Sequence, residues 1–99
     1  MRSPERRVQD AAYQRAKYVR RKAWLRSLKG SVCHDCGGTF HHSQLEFDHR
    51  VPTDKKFSIM LRHTKTVHSL LEEIAKCDVV CSNCHARRTW NRTHPEEQF

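Results

Sequence analysis

The chain has 99 residues, enough for one domain, and only 36% of them are hydrophobic even with five cysteines counted; so thin a core calls for a staple, either disulfides or a structural metal. Lys and Arg total 19 against 11 Asp and Glu, a formal charge of +8, which points to a polyanionic partner, nucleic acid ahead of an anionic membrane surface. The N-terminal MRSPERRVQD lacks the apolar stretch of a secretory signal, no segment has the apolar length of a membrane span, and five is an odd number for a closed disulfide framework, so the expectation is a cytoplasmic protein with reduced thiols and no membrane partner.

In chain order, Ser3-Pro4-Glu5 reads as a helix start: Ser caps, Pro suits the first helical position, and Glu suits the positive helix end. The run to Leu28 contains no Gly or Pro. Val8, Ala12, Ala16, Val19 and Ala23 recur at helical spacing, Trp24 and Leu28 extend that apolar side, and Gly30 marks the stop. Residues 1–30 are thus expected to form a basic N-terminal helix. Its polar side carries Arg15, Lys17, Arg20, Arg21, Lys22, Arg26 and Lys29, with few acids beyond Asp10. Most charge runs are solvated faces, but this imbalance favours contact with phosphates.

Residues 31–44, SVCHDCGGTFHHSQ, suggest a tight metal-binding turn. Residues 45–51 suit a strand with Leu45 and Phe47 on one face. Residues 52–56 read as a polar loop, and 57–61 as a short apolar patch of undecided state. A second helix over 67–76 has Thr64 or Thr66 as its cap, or a capping box from Ser69 to Glu72, with Leu70, Leu71 and Ile74 on its buried side. Residues 78–80 form a short strand candidate, 85–92 a third helix, and 95–99 a tail. A core of residues 31–94 therefore carries the chemistry.

Cys33-x-x-Cys36 and Cys81-x-x-Cys84 are two CxxC pairs. Each places two thiolates on one turn, and two such turns make the tetrahedral four-sulfur site that structural Zn2+ prefers. Pairs this far apart in sequence tie distant segments together, which is the staple the composition demands. The fifth thiol, Cys77, reads as a packing residue.

Between the knuckles lies LEFDHR, and His85 follows Cys84 directly. If the strand at 45–51 pairs with 78–80, Asp48 and His49 end near the helix that His85 begins. Asp48 is a hard oxygen donor and His85 an imidazole donor, together suited to a catalytic divalent ion such as Mg2+ or Mn2+. His49 points to the other side of the strand, clear of the ion, where a neutral imidazole suits a general base activating water.

The order CxxCG, then LEFDHR with Pro52, then CDVVCSNCH, resembles the HNH endonucleases, specifically the small bacterial and phage type with a four-cysteine zinc site. The resemblance spans roughly residues 32–90. It implies a small α+β fold with a ββα-metal (His-Me finger) core, to which the basic N-terminal helix is added. It implies phosphodiester hydrolysis of DNA in a bacterial or phage-infected cell, possible partnership with a phage packaging protein, Asp48 and His85 as catalytic metal ligands, His49 as the base, and Cys33, Cys36, Cys81 and Cys84 as zinc ligands. Arg88 stands where the family often has a basic residue; with Arg87 and Arg50 it joins Arg15, Arg20, Arg21, Lys22 and Arg26 as a phosphate contact. The departure is Lys76, which occupies the place where the family often has the Asn that braces the base. The alternative reading is a zinc-stabilised DNA- or RNA-binding module without catalysis.

Overall fold

The computed structural model describes residues 4–98 and shows a small α+β fold of three helices and a two-stranded antiparallel sheet. Helix α1 (Pro4–Lys29) leads into a knuckle loop, strand β1 (Leu45–His49), a long connection, helix α2 (Val67–Ile74), strand β2 (Cys77–Cys81) and helix α3 (Ser82–Thr93). No described helix is long and apolar enough to cross a membrane.

Local chemistry sets the boundaries. Gly30 ends α1 at φ +65, a conformation that favours glycine. Ser3, the expected cap of α1, lies outside the described residues. Of the candidate caps for α2, Thr66 serves: its Oγ1 accepts the Ser69 N–H at 3.2 Å. β1 and β2 pair in register Leu45↔Cys81, Phe47↔Val79 and Asp48↔Asp78, so both Asp48 and His49 sit at the end of the paired region. The undecided segment 57–61 forms neither helix nor strand; it bends so that Ile59 is buried.

Two small cores flank the sheet. Cys33, Leu45, Val80, Cys81 and Cys84 pack with Phe40 and Val79 at the cysteine end. Leu25, Ile59 and Leu70 pack with Trp24, Phe47, Phe57 and Ile74 beneath α1 and α2.

Two expected faces are corrected. Val8 and Val19 of α1 are each 67% exposed, and Ala12, Ala16, Ala23 and Leu28 are exposed too. Only Leu25 on that helix is buried. The reason is supply: a 26-residue helix is about 39 Å long, and two cores this small cover only its C-terminal end. The described chain is accordingly elongated, 62 × 28 × 21 Å. On α2, Leu71 is exposed and Glu73 is buried in its stead, because the inward stripe runs Leu70, Glu73, Ile74 rather than through Leu71.

Candidate functional site

The knuckles come together. The sulfurs of Cys33, Cys36, Cys81 and Cys84 all lie within 4.8 Å of one another, so the four cysteines are positioned to hold a metal ion. The first knuckle turns through Gly37 at φ +73, and the Gly37 N–H donates to the Cys33 carbonyl at 2.9 Å. The second knuckle opens α3, where Cys81 Sγ accepts the Cys84 N–H at 3.5 Å as the helix cap. His34 N–H, donating to the Val79 carbonyl at 2.8 Å, fastens the first knuckle to β2. Burial pushes the Cys33 thiol up, but N–H groups of Cys36, Cys81 and Asp35 aimed at its sulfur outweigh burial and bring it down to about 6. Burial and the neighbouring sulfurs push Cys84 up to about 12. A cation among four crowded thiols relieves that conflict by favouring the thiolate at each. The fifth thiol, Cys77, packs against the second core and donates to the Glu73 carbonyl at 3.4 Å.

Asp48 is 3% exposed and faces α3. Arg88 Nη1 donates to its Oδ2 at 2.8 Å and Arg92 Nη2 to the same oxygen at 2.9 Å. Burial raises its carboxyl, and the guanidiniums of Arg92 and Arg88 more than reverse that, so Asp48 stays ionised below the ordinary carboxylate value. Its other oxygen, Oδ1, accepts Arg92 Nη1 at 3.2 Å and also lies 3.2 Å from His85 Nδ1, and Glu46 Oε2 is 3.4 Å from the same nitrogen. His85 Nδ1 is nevertheless buried without a hydrogen-bond partner, since neither approach has hydrogen-bond alignment. An unpaired imidazole nitrogen and a carboxylate oxygen are donor types that could share a divalent cation placed beside the pair. Among the described residues the only larger group of metal-ligating side chains is the four cysteines.

His49, one residue on, faces the opposite way. It is 7% exposed, and its Nε2 lies 2.7 Å from Glu73 Oε2. Glu73 is itself 1% exposed. It accepts the Lys56 N–H at 2.9 Å on Oε2 and Lys76 Nζ at 3.0 Å on Oε1. Burial pushes the Glu73 carboxyl up, but the Lys56 N–H, Lys76 and His49 overcome it and hold it at about 2. Its permanent charge fixes the tautomer of a neutral His49: the proton sits on Nε2, leaving Nδ1 to accept. Lys76, at the place of the expected bracing Asn, thus braces the imidazole through Glu73, and its own carbonyl accepts the Arg50 N–H at 3.1 Å.

Sequence reasoning did not find Glu73. The available signal was a carboxylate at a position between Leu70 and Ile74 on an otherwise apolar helical stripe. Arg92 was missed as well; its Nη2 also donates to the His49 carbonyl at 2.8 Å.

The expected phosphate contacts divide into two groups. Arg15, Arg20 and Arg26 are exposed on α1, and Lys22 is half-buried. Arg21 Nη1 donates to the Lys65 carbonyl at 2.7 Å and fastens α1 to the loop before α2. Arg87 is exposed on α3. Arg88 and Arg50 are committed to the protein itself. Arg88 joins Asp35 at 2.6 Å and Asp78 at 3.0 Å in addition to Asp48, and these acids raise its already high pKa. Arg50 donates to Asp78 Oδ1 at 3.2 Å, to the Cys77 carbonyl at 2.9 Å and to the Ala75 carbonyl. Both clamp the sheet to its surroundings. Comparison with known proteins finds no matching family model, no matching curated protein and no matching solved structure.

Proposed function

We propose that the protein is a metal-dependent DNA endonuclease or nickase of the HNH type, with a ββα-metal core and Zn2+ at the four cysteines. One observation carries the reading. Consecutive residues of β1 serve two separate chemistries: Asp48 Oδ1 meets the unpaired His85 Nδ1 at 3.2 Å, while His49 is held by Glu73 at 2.7 Å. That division matches what hydrolysis of a phosphodiester needs.

His49 Nδ1 accepts a proton from the attacking water while Glu73 stabilises the imidazolium that forms. The water oxygen bonds to phosphorus, the bond to the 3′ oxygen breaks, and that oxygen takes a proton from solvent water to leave as a 3′-hydroxyl, with the 5′-phosphate on the other product. A divalent ion such as Mg2+ or Mn2+, bound by Asp48 and His85, would supply Lewis-acid stabilisation of the charge on the phosphate and leaving oxygen. The exposed cations of α1 would hold the duplex.

A second reading has its own support. Asp48 is already neutralised by Arg88 and Arg92, which suits a zinc-stabilised nucleic-acid-binding module without catalysis. Supercoiled plasmid incubated with Mg2+, Mn2+ or Ni2+, using wild type and His49→Ala side by side, separates the two. The endonuclease nicks or linearises the plasmid, and His49→Ala slows it by about 100- to 10,000-fold. Cutting that survives unchanged in His49→Ala rejects the assigned base. Salt-sensitive binding with no cutting in any of the metals establishes the second reading instead.

A further inference from the structure

We propose that a groove on the α2 side of the molecule, separate from α1, binds the phosphodiester backbone of a nucleic-acid strand; this deepens the nucleic-acid reading above and rests on it. The groove has a volume of about 810 Å³ and lies between the 56–65 segment and α2. Four cations line it: Lys76, held by Glu73 and the Asp54 carbonyl, and Lys56, Arg62 and Lys65, all three exposed. Among the described residues, the Lys56 ammonium and the Arg62 guanidinium have no hydrogen-bond or ion-pair partner. Lys65 Nζ rests over the Phe57 ring, 5.2 Å from its centroid, a contact that positions the ammonium without neutralising it.

The acids in the groove do not cancel these charges. Glu73 is consumed by His49, Lys76 and the Lys56 N–H. Glu72 Oε1 lies 2.9 Å from His68 Nε2 on the exposed face of α2, and this one remaining carboxylate is outnumbered by the three cations. A concave surface with three uncompensated cations concentrates positive potential and attracts a polyanion. Its position suits a strand engaged at His49. Lys55 and Lys56 are neighbours on one loop: Lys56 lines this groove, while Lys55 lines a second groove of about 470 Å³ together with His49 and Lys29. A backbone lying past His49 can therefore cross that loop and continue along Lys56, Lys65 and Arg62. Arg21, anchored on the His63 and Lys65 carbonyls, joins the far rim to the basic helix.

The test uses the full chain with Zn2+ and a fluorescein-labelled DNA duplex of about twenty base pairs, with anisotropy followed across a salt series. Each lost phosphate contact lowers the slope of log affinity against log salt by about 0.9. Arg62→Ala/Lys65→Ala is therefore expected to lower the slope by about 2 and to weaken binding about 10- to 100-fold at 0.1 M salt. Both side chains are exposed, so circular dichroism is expected to be unchanged. An Arg15→Ala/Arg20→Ala protein serves as the comparison, and its loss is expected to add to that of the groove variant. NMR supplies a local readout: the Phe57 ring resonances shift when unlabelled duplex is added. An unchanged salt slope, or shifts confined to α1 and α3, overturns the proposal. Saturation of the same Phe57 shifts by millimolar inorganic phosphate, with no further change on adding DNA, reduces the groove to a free-anion site and also overturns it. Because the readout is binding, it is distinct from the plasmid assay: a protein that binds through the groove but never cuts removes the endonuclease reading and leaves the groove standing.

Discussion

Glu73 shows how one carboxylate serves both stability and chemistry. A fully buried acid is destabilising unless its charge is matched, and this one is matched by a backbone N–H, an ammonium and an imidazole. Its folded pKa of about 2 lies below the ordinary value of 4.5. A depressed folded pKa means that the stabilisation is complete above about pH 4.5 and is lost as pH falls towards 2. Glu73→Gln keeps the shape but removes the charge, so it is expected to cost about 3 kcal/mol at pH 7. Urea unfolding at a series of pH values from 7 downwards checks this. The gap between wild type and variant is expected to be widest at pH 7 and to shrink below pH 4.5. The comparison is made in excess Zn2+ and only at pH values where both proteins stay metal-loaded, because metal release would unfold both and erase the gap whatever Glu73 does. A gap independent of pH rejects the charge assignment. The same substitution frees His49 to take either tautomer, which nitrogen NMR of the ring reads directly.

At the scale of elements, what was legible was what is encoded locally. Gly30, Thr66 and the two CxxC turns act through neighbours in sequence, so the C-terminal end of α1 and the meeting of the four cysteines could be read from short motifs, while the start of α2 has three candidate caps in the sequence and its end, expected at 76, falls at Ile74. The strand pairing followed because the knuckles force residues 45–49 and 77–81 together. Partners distant in sequence were not legible: Glu73 meets His49 across 24 residues, and Arg88 meets Asp48 across 40. The inward face of α1 failed for a different reason. Helical periodicity shows that a face exists, but only tertiary structure shows whether anything covers it. Leu25 is the anchor, packed with Ile59 and Leu70. Leu25→Ala is expected to cost about 2–5 kcal/mol, while Val8→Ala and Val19→Ala change stability by no more than about 0.5 kcal/mol. Chemical denaturation of the three proteins distinguishes an anchored helix end from a helix buried along its length; equal losses at all three positions would restore the long buried face.

For the whole molecule, the four cysteines form the joint on which the rest depends. One core is built around them and is otherwise only Leu45, Val80 and the flanks of Phe40 and Val79. The other is a few side chains under the C-terminal end of α1. Domains of this size have marginal stability, and metal binding by four thiolates contributes about 10–16 kcal/mol in small zinc domains, more than two such cores hold in reserve. The same joint places the candidate site, since Cys84 precedes His85 and Asp35 of the first knuckle grips Arg88. Chelation is therefore expected to do more than remove a cofactor. It should dissolve the β1–β2 pairing and separate Asp48 from His85, with refolding on adding Zn2+ but not Mg2+, because thiolates prefer the softer ion. Cys84→Ser should reproduce the chelated state without chelator. The exposed two-thirds of α1 makes few tertiary contacts, so it responds to loss of the joint less than β1, β2 and α3 do. Amide hydrogen exchange measured with and without chelator resolves this by segment: protection is expected to vanish across residues 45–49 and 77–93 and to change little across 4–20. Protection of 45–49 that survives complete metal removal would show that the cores hold the site unaided.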